Sequence, residues 1–372
     1  MHQLVAVPAV GGTRFVDTLL SVWDAGDALA PLDPRLPPPA REALLAALAP
    51  SVVLDERGEV AERREGVPIE DGDALVVPTS GSTGAPKGVV HTHEGVAASA
   101  HAVNTALEVD PAGDGWLCCL PLAHIAGLAV VARALAAGTR LEVLERFDPS
   151  VVEAAAAERG ATLTSLVPTA LGRTDVSGFR WVVVGGSTPP DDPPPNVVAS
   201  YGMTETGSAV VLDGEALPTV ELDVRDGEVW VRGPMLLRCY RDGTVPVDAD
   251  GWLATGDAGE LDADGLLVVH GRRGDLIITG GENVWPAAVE SALAGHPRVG
   301  DVAVVGRPDP EWGQAVTAVV VPRRADDPPT LEGLRAWTKE RLPPWCAPHR
   351  LELVEALPRT ALGKVRRGDL AG

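Results

Sequence analysis

The sequence predicts an α/β fold: a large N-terminal domain of helix-covered, mostly parallel sheets with a small antiparallel region, and a small C-terminal α+β domain. Three observations carry this. Between residues 74 and 200, short apolar runs alternate with stretches of helical period, as parallel strands joined by crossover helices do. From Val220 onward, apolar runs come in pairs around Asp226-Gly227 and around 262–265, a hairpin signal each time. Gly271-Arg272-Arg273-Gly274 then reads as a joint, after which strands and helices resume in a unit of about 100 residues. The expected domains are 1–270 and 271–372.

Residues 1–72 are rich in Ala and Pro and show little periodicity; 31–39 reads as an exposed connection before a short helix at 40–49. A short buried strand over 74–77 ends at Pro78. Thr92 is placed to cap a helix on which Val96, Ala100, Val103 and Leu107 recur with the helical period. A strand over 116–122 leads to a helix over 125–137 with Gly138 at its end, then a strand over 141–144. Asp148 as N-cap and Pro149 in the first turn open the next helix, which Gly160 closes. Strands follow at 161–167, 181–184 and 197–200, then the paired runs 221–225 with 228–232 and 253–261 with 266–270. The C-terminal unit reads as helix 286–294, strands 302–305 and 315–321, helix 331–342 and strand 350–354.

At 372 residues, 45% apolar and 22% charged, the chain is expected to be globular, with more than one domain. A net charge of −21 argues against a nucleic-acid binder, which carries a basic face. Any anionic ligand must therefore be held by local donors against the global field. The four cysteines lack zinc spacing, and adjacent Cys118-Cys119 read as buried thiols of a reducing compartment. The opening MHQLVAVPAVGG has neither the basic nor the long apolar stretch of a secretory signal, and no apolar run reaches about 18 residues. No membrane span and a cytoplasmic location are the expectations.

The chemistry begins at residues 77–93, VPTSGSTGAPKGVVHTH. Small residues let backbone N–H groups approach an anion, hydroxyls add donors, and Lys87 adds a point charge. This specifies a polyphosphate cradle, with an ordinary surface loop as the bland alternative. It is not a Walker loop, because Pro86 precedes the lysine and Gly88 follows it. Of 31 basic residues only Lys87, Lys339 and Lys364 are lysine, so lysine persists where a compact ammonium is needed, although Lys339 fits an exposed helix face. The segment from Tyr201 to Gly207, YGMTETG, follows an apolar strand and offers an aromatic face, the Thr204 hydroxyl and the Glu205 carboxylate, suited to Mg²⁺. Asp257 and Arg272 bracket a hairpin, as a ribose-binding carboxylate with an arginine beside it or as two surface charges.

Together TSGSTGAPKG, PLAHIAG, YGMTETG, GWLATGD, GRRGDLIITGGENVWPAAVE and PRTALGK, in this order from about Leu75 to the C-terminus, resemble the adenylate-forming superfamily of acyl-CoA synthetases, adenylation domains and luciferases. The resemblance implies ATP, Mg²⁺ and a thiol such as CoA as reactants, and a mobile C-terminal domain that turns between two half-reactions. It implies that Thr79, Ser80, Gly81, Ser82, Thr83, Gly84 and Lys87 hold the ATP phosphates. Gly185, Gly186 and Ser187, with Tyr201, Gly202 and Met203, flank the adenine. Thr204 meets the α-phosphate, Glu205 binds Mg²⁺, and Asp257 and Arg272 hold the ribose. Lys364 bridges phosphate and carboxylate during adenylation, and His124 lies at the acyl pocket, a core histidine being the alternative. Two features depart from the family. The stretch before the phosphate loop is far shorter than usual, so much of the N-terminal subdomain is expected to be missing, and Gly274 stands at the hinge, where Asp or Lys is usual.

PLAHIAGL, VLDGEALPTVELDV and DPEWGQAVTAVVVP further resemble the compact actinobacterial o-succinylbenzoate–CoA ligases. That resemblance implies 2-succinylbenzoate as the small carboxylic acid. Another aryl- or short-chain acyl-CoA synthetase and a stand-alone amino-acid adenylation enzyme remain alternatives, as does a non-catalytic nucleotide-binding protein. An amino-acid enzyme would show an acidic residue near PLAHIAG, and none stands between Pro121 and Ala132. A homodimer is left open.

Overall fold

Residues 4–63, which show little periodicity in the sequence, form alternating strands and helices: Leu4–Pro8, helix Thr13–Asp24, Ala28–Leu32, helix Pro38–Leu48, Val52–Leu54 and Val60–Arg63. The computed structural model describes residues 2–80, 86–187, 192–359 and 365–370. The first three of these strands pair in parallel, Leu4–Pro8 lying between Ala28–Leu32 and Val52–Leu54. This corrects the expectation of an exposed connection over 31–39 at its start only: Pro31, Leu32 and Asp33 are buried, while Pro34, Arg35 and Pro37 form an exposed connection before the helix. Ala28–Leu32 is buried along its whole length, and the helix starts at Pro38, where a proline loses no helical bond. Strands buried on both faces carry no alternation, so Ala and Pro content concealed them.

Among the described residues this layer grows into a seven-stranded sheet. Its order is Cys239–Tyr240, Pro86–Thr92, Asp73–Ser80, Ala28–Leu32, Leu4–Pro8, Val52–Leu54, Val60–Arg63. Leu4, Ala28, Leu45, Leu48, Val53 and Val76 meet in its core. The strand expected to end at Pro78 runs on to Ser80 and pairs antiparallel with Pro86–Thr92, Pro78 opposite Gly88 and Thr79 opposite Lys87. Pro78 is accommodated because pairing with the parallel neighbour is limited to Leu29 and Leu75.

A second seven-stranded sheet follows: Glu215–Ala216, Ser208–Leu212, Val197–Met203, Trp181–Val184, Leu163–Leu166, Gly115–Cys118, Arg140–Val143. From Val197–Met203 to Arg140–Val143 its pairings are parallel; the two strands at the other edge are antiparallel. The expected strand at 116–122 stops at Cys118, and the chain then turns, His124 donating its N–H to the Pro121 carbonyl. The helix signals act as read. Thr92 Oγ1 accepts from Gly95 N at 3.0 Å, Asp148 accepts from Ser150 N and Val151 N, and Gly138 and Gly160 close their helices at φ 68° and 73°. Cys118 and Cys119 are buried free thiols, which burial pushes up to about 12 and about 11.

A four-stranded sheet of Glu221–Arg225, Glu228–Arg232, Leu253–Leu261 and Leu267–Arg272 comes next. Asp226 and Gly227, at φ 49° and 73°, make the tight turn of its first hairpin. The contacts divide the chain into two compact units. One holds 1–223, 230–254 and 263–267; the other holds 224–229, 255–262 and 268–372. In the second, Gly313–Pro322 pairs with Val299–Asp309 and Arg350–Leu353, and helices Pro286–Ala294 and Leu331–Lys339 belong to the same unit. Its own core includes Ile277, Val289, Leu293, Val304, Val316 and Leu334. No described helix is long and apolar enough to cross a membrane.

Thr92 thus joins the strand that carries Lys87 to helix His93–Ala106. Thr92→Ala should cost about 1 kcal/mol, seen as a lower urea midpoint by tryptophan fluorescence, and Thr92→Ser should recover most of it. An unchanged Thr92→Ala midpoint would mean that packing alone sets this helix start.

Candidate active site

Gly81, Ser82, Thr83, Gly84 and Lys364 lie outside the described residues, as does the side chain of Ser80. Of the expected phosphate stretch, Thr79 stands on the outgoing strand and Lys87 opposite it on the returning one. Strand Cys239–Tyr240 pairs with the other edge of the returning strand, Tyr240 opposite Val89. The Lys87 ammonium sits 4.8 Å above the Tyr240 ring. Two arginines hold this short strand. Arg238 pairs with both oxygens of buried Asp73 at 2.8 Å and with Glu70 at 2.7 Å. Arg241 donates to the carbonyls of Leu48 at 2.8 Å and of Pro68 at 3.1 Å.

The YGMTETG turn leaves the C-terminal end of strand Val197–Met203, where ligands gather in parallel sheets. Gly202 is required there, because a Cβ would fall 1.9 Å from the Ser208 carbonyl oxygen. Thr204–Thr206 form one 3₁₀ turn, whose Thr206 hydroxyl accepts from Met203 N at 2.9 Å. Glu205 Oε1 accepts the Tyr240 hydroxyl at 3.0 Å, so Lys87, Tyr240 and Glu205 form one line. Behind the turn, His91 Nε2 donates to the Thr204 carbonyl at 2.7 Å. His91 is fully buried, and burial pulls it down to about 4, so it stays neutral. Its Nδ1 has no partner among the described residues.

Gly185 and Gly186 follow the adjacent parallel strand Trp181–Val184. A Cβ on Gly185 would meet Ser200 Oγ at 2.4 Å, and Gly186 has φ 87°. The fold therefore brings Gly185, Gly186 and Ser187 beside the strand carrying Tyr201, Gly202 and Met203. The glycines leave a backbone edge that a flat base can approach.

His124 is the N-cap of helix Ile125–Ala137. The charge of His124 acts weakly on one acidic group from a distant segment. Asp33 follows buried strand Ala28–Leu32, and the field of His124 acts on its carboxylate. Burial pushes Asp33 up, but bonds from Arg35 and the charges of Arg35 and His124 bring it below the usual range. Arg35 already answers Asp33, with contacts of 2.9 and 2.7 Å. On the same helix, Arg133 is 2% exposed. Its guanidinium donates to Ser165 Oγ at 3.1 Å and Ser208 Oγ at 3.2 Å and lies 5.5 Å from the Trp116 ring. No acidic partner pairs with it among the described residues, and burial pulls it down to about 10.

In the second unit Asp257 and Arg272 do meet: Arg272 Nε lies 3.0 Å from Asp257 Oδ1, and another guanidinium nitrogen donates to the Thr255 carbonyl at 2.7 Å. Asp257 is buried and Arg272 half exposed. Gly274 has no positive φ and open space where a Cβ would stand, so neither backbone nor packing demands glycine there. Sequence reasoning missed Tyr240, His91 and Arg133, although each left a signal. Tyr240 is one of two tyrosines in the chain, His91 shares the face of Lys87 in a period of two, and Arg133 is the single charge in an apolar helix of 13 residues.

The family described as AMP-binding enzyme matches residues 2–241, and the one described as AMP-binding enzyme C-terminal domain matches 288–364. A protein of Mycobacterium tuberculosis named probable 2-succinylbenzoate–CoA ligase is 39% identical over 336 residues, 82% of this chain and 86% of that protein. The 2-succinylbenzoate–CoA ligase of Listeria monocytogenes is 34% identical over 329 residues, 80% of this chain and 69% of that protein. The solved o-succinylbenzoate CoA synthetase of Bacillus subtilis, in complex with its acyl-adenylate intermediate, superposes with TM-score 0.89 and 29% identity over 99% of this chain and 88% of that one. With ATP and magnesium ion bound, the same enzyme gives 0.87 at 29% identity over 99% and 89%.

His91 generates a pH prediction. Below about pH 6.5 the unfolded chain takes up a proton that folded His91 refuses until about pH 4, so stability falls as pH drops through that window. The full shift is worth roughly 3 kcal/mol. In His91→Gln, whose amide still donates to Thr204, Tm should fall less steeply between pH 6.5 and 4. An unchanged slope would assign the acid sensitivity to other groups.

Proposed function

The chain belongs to the AMP-binding enzyme family, and on that premise we propose an ATP-dependent acid–thiol ligase that adenylates 2-succinylbenzoate and passes the acyl group to CoA. The observation that carries the substrate choice is Arg133. A guanidinium so deeply buried, answered among the described residues by two hydroxyls and an aromatic face and by no carboxylate, bears a large desolvation cost. A diacid supplies a counter-charge: its succinyl carboxylate reacts while its benzoate carboxylate pairs with Arg133. Asp33 does not serve an amino-acid ammonium, since Arg35 already holds it. A cytoplasmic location fits a consumer of ATP and CoA.

A succinyl carboxylate oxygen attacks the α-phosphorus of ATP, and the bond to pyrophosphate breaks. Two anions must meet, so preorganised donors offset their repulsion. Thr79–Lys87 take the phosphates, Gly185, Gly186 and Tyr201 the adenine, Asp257 and Arg272 the ribose, and Thr204 the α-phosphate. Glu205 fits Mg²⁺: one oxygen is fixed by Tyr240, the other is left for a hard cation, and Mg²⁺ needs few protein ligands. When bound, the ion neutralises phosphate charge. His124 faces the acyl group, and Lys364 is delivered by a C-terminal domain, 271–372, for adenylation only. The CoA thiolate then attacks the acyl carbon, and AMP leaves.

Pyrophosphate release across a panel of acids, with and without CoA, tests the substrate. It should be fastest with 2-succinylbenzoate; faster release with benzoate, medium-chain fatty acids or amino acids refutes the reading. Arg133→Met should lower kcat/KM for 2-succinylbenzoate by roughly 10²–10³ while leaving KM for ATP nearly unchanged, as loss of one partner of a buried charge pair implies. An equal loss with a monocarboxylic acid would make Arg133 structural.

Lys364→Ala separates the half-reactions. It should slow thioester formation from acid and ATP by about 10²–10³, yet leave it near normal from pre-formed acyl adenylate and CoA. Single-turnover measurement from each starting point reads this directly. Equal slowing of both would remove Lys364 from adenylation.

A further inference from the structure

We propose that Tyr240 is a positioning residue for adenylation: it stands between Lys87 and Glu205, keeps these opposite charges from pairing, and fixes which Glu205 oxygen meets the metal. The proposal rests on the reading that Glu205 holds Mg²⁺ and Lys87 the phosphates. Lys87 and Glu205 come from different elements, a sheet strand and a 3₁₀ turn, and point at one tyrosine. Among the described residues no ion pair joins them. The Tyr240 hydroxyl donates to Glu205 Oε1 at 3.0 Å, and the Lys87 ammonium rests 4.8 Å over the ring face. Lys87 also acts on Asp242, whose carboxylate is occupied mainly by Thr244 N.

Interposing a phenol has a definite physical effect. A direct Lys87–Glu205 pair would neutralise both groups and would have to break before ATP and Mg²⁺ could enter. A ring face and a hydroxyl answer each charge weakly and without neutralising it, so both remain available. A carboxylate only accepts, so a donor on Oε1 directs Oε2 to the hard cation. Tyr240 is itself fixed. Its backbone pairs with Val89, its N–H donates to Thr244 O at 2.8 Å, and Arg238 and Arg241 hold the residues on either side of Cys239–Tyr240. Its side chain packs against a cluster that includes Leu237 and Leu253.

The test measures ATP binding calorimetrically, without acid or CoA, in EDTA and again in saturating Mg²⁺. The ratio of the two affinities reports the metal linkage. Tyr240→Phe keeps the ring and loses only the hydroxyl. It should bind ATP in EDTA as the parent does, while the gain from Mg²⁺ shrinks about fivefold to tenfold. Pyrophosphate release by this variant should recover its kcat at high Mg²⁺, whereas a merely structural lesion would lower kcat at every concentration. Tyr240→Leu also frees Lys87 to pair with Glu205, so its affinity in EDTA should fall as well. Glu205→Gln separates the premise from the proposal. If it keeps the full Mg²⁺ gain, the metal reading of Glu205 fails and the proposal with it. If it abolishes the gain while Tyr240→Phe keeps it, the proposal alone is overturned.

Discussion

Asp73 is a carboxylate with 1% of its surface exposed, and the sheet edge that carries Lys87 and Tyr240 hangs on its bidentate pair with Arg238. Asp73 begins the strand that leads to Thr79, and Arg238 directly precedes the strand that presents Tyr240. The pair therefore sets how two elements far apart in the chain stand against the strand of Lys87 between them. Both charges give up water to form it, so its net contribution to stability is small. Its contribution to register is large, because one alignment satisfies all its bonds.

Register matters because strand Pro86–Thr92 works from both ends. Lys87 and His91 lie on one face of it, and His91 reaches through the core to the Thr204 carbonyl while Lys87 meets Tyr240. A slip of one residue would turn both to the opposite face. The backbone of the 204–206 turn is thus held from below by a neutral histidine, and its Glu205 side chain from the side by a phenol. Gly202 and Gly207 allow the close approach and the reversal that carry the turn there.

Charge is handled locally throughout. With a net charge of −21, the chain cannot attract anions by its overall field, and it places cations where little water competes. Arg133 is the extreme case, a buried guanidinium against hydroxyls and a tryptophan face. In the second unit the logic is the usual one, with Arg272 and Asp257 paired and Arg273 pairing Glu228 at 2.6 Å.

Much was legible from residues 74 to 354 because local chemistry announces itself. Thr92 and Asp148 cap, Gly138 and Gly160 terminate, and Asp226-Gly227 turns, each through its own backbone preferences, and the structure places them so. Six ordered motifs likewise declared the family. What escaped was whatever depends on partners distant in sequence. Strands Leu4–Pro8 and Ala28–Leu32 escaped because strands buried on both faces lose the alternation that marks a strand. His91 under Thr204 and Lys87 over Tyr240 join segments 113 and about 150 residues apart, and even Tyr240 and Glu205 stand 35 residues apart. The sequence by itself determined which groups this chain owns and where its elements start and stop, since those follow from bonds within a few residues. Tertiary structure alone decided which charges are neutralised and which are kept waiting, since that depends on what burial and sheet register bring alongside them.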